Sequence, residues 1–157
     1  MSSLPATQVK ALILEALKAR EFAYAPYSKF RVGAALLAED GTIIRGCNVE
    51  NASYGAGICA ERTALTKALS DGTSKFLAIA VSSDVPAPTT TPCGICRQFI
   101  REFCPETTPV YMVSSAFPSG EMCSQDDVLA AIDDPKIVRK VSFGELLPMS
   151  FGPENLS

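Results

Sequence analysis

Phe76-Leu77-Ala78-Ile79-Ala80-Val81, then Pro92-Cys93-Gly94-Ile95-Cys96, then Val110-Tyr111-Met112-Val113, is the stretch on which the architecture turns. The first run is short and continuously apolar, as expected of a strand buried on both faces. From Gly94 to Phe103 the residues Ile95, Phe99, Ile100 and Phe103 recur at helical period, and Pro105 stops the helix. Val110 to Val113 then reads as the next strand, while Val85 to Pro92, rich in Pro and Thr, reads as a loop. Strand, helix and strand in that order predict parallel pairing across a right-handed crossover.

Outward from this unit, Val9, Leu12, Ile13, Ala16 and Leu17 give an amphipathic helix over Thr7 to Arg20, which should cover one face of a sheet. Tyr24 to Ser28 is turn-like around Pro26. Two runs, Phe30 to Leu37 and Thr42 to Val49, flank Asp40-Gly41, a strong hairpin signal. Asn51 to Gly57 is loop-like, and Cys59 to Leu69 is a helix that packs through Ala60, Ala64, Leu65 and Ala68 and ends near Gly72. Beyond Val113, Ala116 to Cys123 has loop composition, Gln125 to Ile132 fits a short helix, and Ile137 to Val141 fits a last strand. Ser142 and Glu145 have capping-box spacing ahead of Leu146-Leu147. The sum is an α/β fold, a mixed five-stranded sheet covered by helices, as one domain over residues 1–157.

The composition narrows the chemistry. A chain of 157 residues can bury roughly two thirds of its unfolded surface. The net charge of −3, with Lys and Arg scattered, offers no footprint for polymeric nucleic acid or an anionic membrane. The N-terminus has neither a basic start nor an apolar segment, and no stretch approaches the ~20 apolar residues of a membrane span, which together predict a cytoplasmic protein. Six cysteines beside 47% apolar residues read as reduced thiols in a cored domain, not as a disulfide framework. Histidine is absent, so Ser-His-Asp and Cys-His mechanisms are excluded.

Cys59-Ala60-Glu61 and Pro92-Cys93-Gly94-Ile95-Cys96 then supply three thiolates and one carboxylate. Structural zinc takes four protein ligands, whereas a hydrolytic site keeps a place for water, so three thiols point to catalytic zinc. A zinc ribbon would need a second cysteine pair, and a thioredoxin-like dithiol would follow the first strand, not the third. Both ligand groups fall at predicted helix starts, where free N–H groups and the helix dipole favour thiolate. Glu61, two residues past Cys59 on a helix, is poorly placed as a fourth ligand but can reach a metal-activated water as proton shuttle. Three thiolates leave excess negative charge on the metal, and Arg62 is the candidate to offset it by hydrogen-bonding ligand sulfur. Cys47, Cys104 and Cys123 are assigned no role.

These motifs make the sequence resemble cytidine deaminase of the small homotetrameric three-cysteine type, whose known signature is this zinc-and-glutamate pattern. The likeness extends to Tyr27-Ser28-Lys29-Phe30-Arg31-Val32-Gly33-Ala34-Ala35, to Asn48-Val49-Glu50-Asn51-Ala52-Ser53-Tyr54-Gly55, and to Leu146-Leu147-Pro148 running into Phe151-Gly152-Pro153. The resemblance implies a three-layer α/β/α fold, one zinc per subunit held by Cys59, Cys93 and Cys96, and hydrolytic deamination of cytidine and deoxycytidine in pyrimidine salvage. It also implies that Phe30 stacks on the pyrimidine, that Asn48 and Glu50 bind ribose hydroxyls, and that the Ala60 N–H meets the base carbonyl. Tyr54 and Phe151 resemble residues that complete a neighbouring subunit's site in a homotetramer.

One segment departs from the pattern: residues 118–136 are longer than the family type, which leaves the approach to the last strand open. Two other readings share the three-cysteine core, a deaminase of blasticidin-type or other aminopyrimidine nucleosides and a non-catalytic zinc-stabilised module.

Overall fold

Asp40-Gly41 reverses the chain as its residue types require. In the computed structural model, which describes residues 4–86, 89–119 and 124–156, Gly41 adopts a φ of 87° and the Asp40 carboxylate accepts the Thr42 N–H at 2.9 Å. The flanking strands, β1 (Val32–Ala38) and β2 (Ile43–Cys47), pair antiparallel with Ala35 opposite Arg45. Both are shorter than the runs that signal them. Lys29 takes a left-handed φ of 58° ahead of β1, and Val49 leaves β2 to bridge Tyr24 and Ile58.

The crossover forms as expected. β3 (Phe76–Ser83) pairs antiparallel with β1 and parallel with β4 (Pro109–Val113), and the connection is α3 (Gly94–Phe103). β5 (Val138–Ser142) closes the sheet antiparallel to β4, giving the order β2-β1-β3-β4-β5. The mixed five-stranded sheet is therefore the one observed. At its exit the Glu145 carboxylate accepts the Ser142 N–H and hydroxyl at 2.7 and 2.8 Å and starts the short helix Phe143–Leu146.

Strand periodicity divides the core in two. On one face Ala35, Leu37, Ala78, Ala80, Tyr111 and Val113 pack against Leu12, Ile13 and Ala16 of α1 (Ala6–Arg20). On the other, Ala34, Leu36, Ile79, Val81, Val110 and Met112 meet Ala60, Ala64, Leu65 and Ala68 of α2 (Ala60–Ser70), with Ile100 of α3. α2 lies unusually close to β2, because a Cβ on Gly46 would sit 2.3 Å from the Ala64 nitrogen and 2.5 Å from the Ala60 oxygen. Backbone cannot yield as a side chain can. Gly46→Ala should therefore cost about 3 kcal/mol and lower Tm by roughly 10 °C in a thermal melt. An unchanged Tm would show that helix and strand part freely.

The long segment before the last strand has a definite place. α4 (Gln125–Asp133) starts at a capping box in which Ser124 Oγ accepts the Asp127 N–H and the Asp127 carboxylate accepts the Ser124 N–H, both at 3.1 Å. Val128 and Ala131 join Phe117 in the core on the α1 side, so α4 covers the face opposite α2 and α3. Residues 87, 88 and 120–123, among them Cys123 and parts of both expected loops, lie outside the described residues. Among the described residues no helix is long and apolar enough to cross a membrane.

Candidate functional site

The packing of α2 and α3 on one sheet face places two helix starts side by side. Cys59 is the N-cap of α2, Cys93 is the N-cap of α3, and Cys96 lies in the first turn of α3. Their three Sγ atoms lie within 4.8 Å of one another. Cys59 and Cys93 are 3.8 Å apart, the edge of a tetrahedron whose centre is ~2.3 Å from each sulfur. The donor set therefore fits a zinc ion, with soft sulfur ligands of the type zinc prefers and one corner left for a non-protein ligand.

The electrostatics favour thiolate at Cys59. The Cys59 thiol is lowered to about 5, first by the hydrogen bond from Cys96 and then, against the opposing effect of burial, by Arg62 and Cys93. Cys96 is pushed up by the same hydrogen bond, by burial and by Glu61. Arg62 donates from Nη2 to Cys59 Sγ at 3.7 Å, while its buried Nε has no hydrogen-bond partner among the described residues. Glu61 is only 4% exposed and stands outside the three-sulfur cluster. Its carboxyl is raised above the usual range by burial and by Cys59, with Cys96 and Arg62 opposing. Ala60, the first residue of α2, brings an N–H that no preceding helical carbonyl meets. Cys47 donates to the Phe22 carbonyl at 3.3 Å, and Cys104 is buried in the core with its thiol pushed up to about 12 by burial.

A second group assembles where the chain enters β1. Asn48 spends one donor and one acceptor on backbone, Nδ2 on the Phe30 carbonyl and Oδ1 on the Val32 N–H, each at 2.8 Å. Glu50 accepts the Tyr27 N–H at 2.9 Å, the Ser28 N–H at 3.2 Å and the Ser28 hydroxyl, and that hydroxyl holds the carboxyl below its usual range. Ser28 Oγ in turn accepts the Phe30 N–H at 3.0 Å. On the far side, Arg31 grips Asp84 through Nε at 3.1 Å and Nη2 at 3.0 Å. Phe30 is thus half-buried on a backbone fixed from both directions, and it belongs to neither core.

Beside it opens a cavity of about 360 Å³ lined by Tyr27, Ser28, Glu50, Asn51, Tyr54 and Gly57, on the loop that leads into Cys59. A larger one, about 720 Å³, lies at the N-terminal ends of β3 and β4; neither cavity is lined by Glu61 or by any of the cysteines. Tyr54 is 79% exposed, with its ring centroid 5.8 Å from that of Tyr27. Phe151, 56% exposed, lines neither cavity.

Sequence reasoning thus named the sulfurs, Glu61 and Arg62, which the structure brings together, and Asn48, Glu50 and Phe30, which it joins through backbone. Ser28 and Asp84 escaped it. Ser28 lies inside the quoted Tyr27–Ala35 motif, and its place two residues before Phe30 was the available signal for a hydroxyl that caps a backbone N–H.

Comparison with known proteins follows the same lines. A family model described as the cytidine and deoxycytidylate deaminase zinc-binding region matches residues 6–113. The chain is 48% identical over 149 residues to the cytidine deaminase of Sporosarcina psychrophila, with 95% of each covered. It is 47% identical over 146 residues to that of Halalkalibacterium halodurans, covering 93% of this chain and 96% of the relative. The structure of cytidine deaminase from Burkholderia pseudomallei matches with a TM-score of 0.76 at 42% identity, over 94% of this chain and 100% of that one. For the enzyme of Mycobacterium tuberculosis the TM-score is 0.67 at 30% identity, over 96% and 99%.

Proposed function

Given that this chain belongs to the cytidine and deoxycytidylate deaminase family and is a hydrolytic deaminase, we propose that it converts cytidine and deoxycytidine to uridine and deoxyuridine, releasing ammonia in pyrimidine salvage. The observation that carries the reading is the buried Glu61 beside three sulfurs that lie within 4.8 Å of one another. Zinc, one ion per subunit on Cys59, Cys93 and Cys96, would supply a Lewis acid that makes water a nucleophile near neutral pH. Glu61 takes the proton of the attacking water and delivers it to N3 of the pyrimidine as the C4–O bond forms. It then carries the remaining hydroxyl proton to the amine, which leaves as ammonia when the C4 carbonyl is restored. Arg62 offsets the charge on the sulfurs, and the Ala60 N–H holds the base carbonyl.

A nucleoside fits the cavity better than a nucleotide. None of its six lining residues is cationic and Glu50 is anionic, so a phosphate would meet repulsion from the lining itself. Three of the roughly four acceptor sites of the Glu50 carboxylate are taken by Tyr27 and Ser28, which leaves one for a ribose hydroxyl. Asn48 likewise keeps one N–H and one lone pair, and Phe30 offers its ring to the base. Tyr54 and Phe151, exposed and apolar, suit contacts with a neighbouring copy in a homotetramer with shared sites, in the cytoplasm. Neither membrane nor nucleic-acid polymer enters the reading.

The test is ammonia release and the ultraviolet change of cytidine, deoxycytidine and a blasticidin-type nucleoside with zinc-loaded protein, before and after chelation. Turnover of the first two, lost with the metal, is expected. In the same assay Glu50→Gln should raise the KM for cytidine roughly tenfold or more, since it removes a charge-assisted hydrogen bond worth about 1.5–3 kcal/mol. Turnover of the antibiotic alone would select the alternative substrate class, and zinc binding without turnover of any of the three would overturn the substrates proposed.

A further inference from the structure

α3 does more than supply two thiols. On one side of it, Arg101 reaches into the C-terminal segment with a side chain only 11% exposed. Its Nε donates to Ser150 Oγ at 2.8 Å and its Nη2 pairs with the Glu154 carboxylate. Between these contacts the backbone of Gly152 lies on the guanidinium, where a Cβ would sit 2.5 Å from Cζ and 2.6 Å from both Nη atoms. One turn earlier on the helix, Gln98 Nε2 donates to the Phe151 carbonyl at 3.1 Å. Residues 150, 151, 152 and 154 are therefore all held to the helix that carries Cys96, while the Phe151 ring is 56% exposed. A planar guanidinium presents five donors in a rigid fork, so it can hold two partners in fixed, different directions at once.

We infer that Arg101 is a positioning residue that, through Ser150, Gly152 and Glu154, presents the Phe151 ring to the pyrimidine site of an adjoining copy; the inference rests on the reading of Phe151 proposed above. A ring that grips substrate and transition state alike changes KM and leaves kcat nearly alone. Removing the guanidinium lets the segment lift from α3, and the same loss follows when a methyl group at position 152 displaces it.

The experiment compares wild type with Arg101→Ala, Gly152→Ala, Phe151→Ala and the Arg101→Ala/Phe151→Ala double variant, measuring kcat and KM for cytidine, bound zinc, and mass in solution. Each single variant should raise KM about tenfold, the scale of one aromatic contact, with kcat within twofold and with zinc and mass unchanged. The double variant should be no worse than Phe151→Ala, because both changes remove the same contact. A wild-type KM in Phe151→Ala overturns the reading on which the inference rests and the inference with it. A raised KM there beside a wild-type KM in Arg101→Ala, additive losses in the double variant, or a loss in Arg101→Ala traced to kcat, zinc or mass overturns the inference alone.

Discussion

Glu61→Gln should lower kcat for cytidine by about 10⁴-fold, the upper range for general acid–base catalysis by one side chain, while the protein should keep its zinc and melt no lower than wild type. The amide matches the carboxylate in shape but cannot accept and return a proton. Stability should not suffer, because Glu61 is 4% exposed and a buried carboxylate is costly to desolvate. Initial rates, metal analysis and a thermal melt on one preparation decide the matter. A variant within tenfold of wild type would remove Glu61 from the mechanism. One that keeps neither zinc nor fold would make its role structural.

Cys96→Ala has the second large effect, expected as loss of nearly all bound zinc, loss of detectable turnover and a fall in Tm of about 10 °C. With one of three sulfurs gone, the two that remain cannot hold the ion, and a ligand bound at ~1,000 times its Kd stabilises by about 4 kcal/mol. At roughly 2–4 °C per kcal/mol for a chain of this size, that gives the predicted fall. Cys104→Ala is the control, since Cys104 is also a buried thiol but lies in the core with Ile100 and Val110. It should keep zinc and activity and lose only about 1 kcal/mol through the cavity it leaves. Equal zinc loss in both variants would mean that general destabilisation, not ligation, releases the metal.

The crossover and the sulfur cluster were legible because their signals are local. An apolar run, a helical period ended by Pro105, and thiols at two helix starts each declare themselves within a dozen residues. The clamp around Phe30 was not legible, because it depends on Lys29 taking a φ of 58°, a conformation that Gly or Asn signals and Lys does not. Asn48 read as a ligand for sugar, yet it also fixes the backbone of Phe30 and Val32. The role of Arg101 carried no sequence signal, since its partners Ser150 and Glu154 lie 49 and 53 residues ahead and no spacing rule reaches that far. The placement of α4 was foreseeable as a helix but not as a cover for the α1 face, which only the packing of Val128 and Ala131 decides.

Cys59 and Cys93 are 34 positions apart, with β3 between them. During synthesis, then, a growing polypeptide displays one sulfur long before the other two, and all three meet only after α2 and α3 have docked on the same sheet face. On the zinc reading proposed above, ion capture would consequently come late in maturation. A cell starved of zinc would then accumulate a folded but unloaded chain, because neither hydrophobic layer draws on those thiols to form.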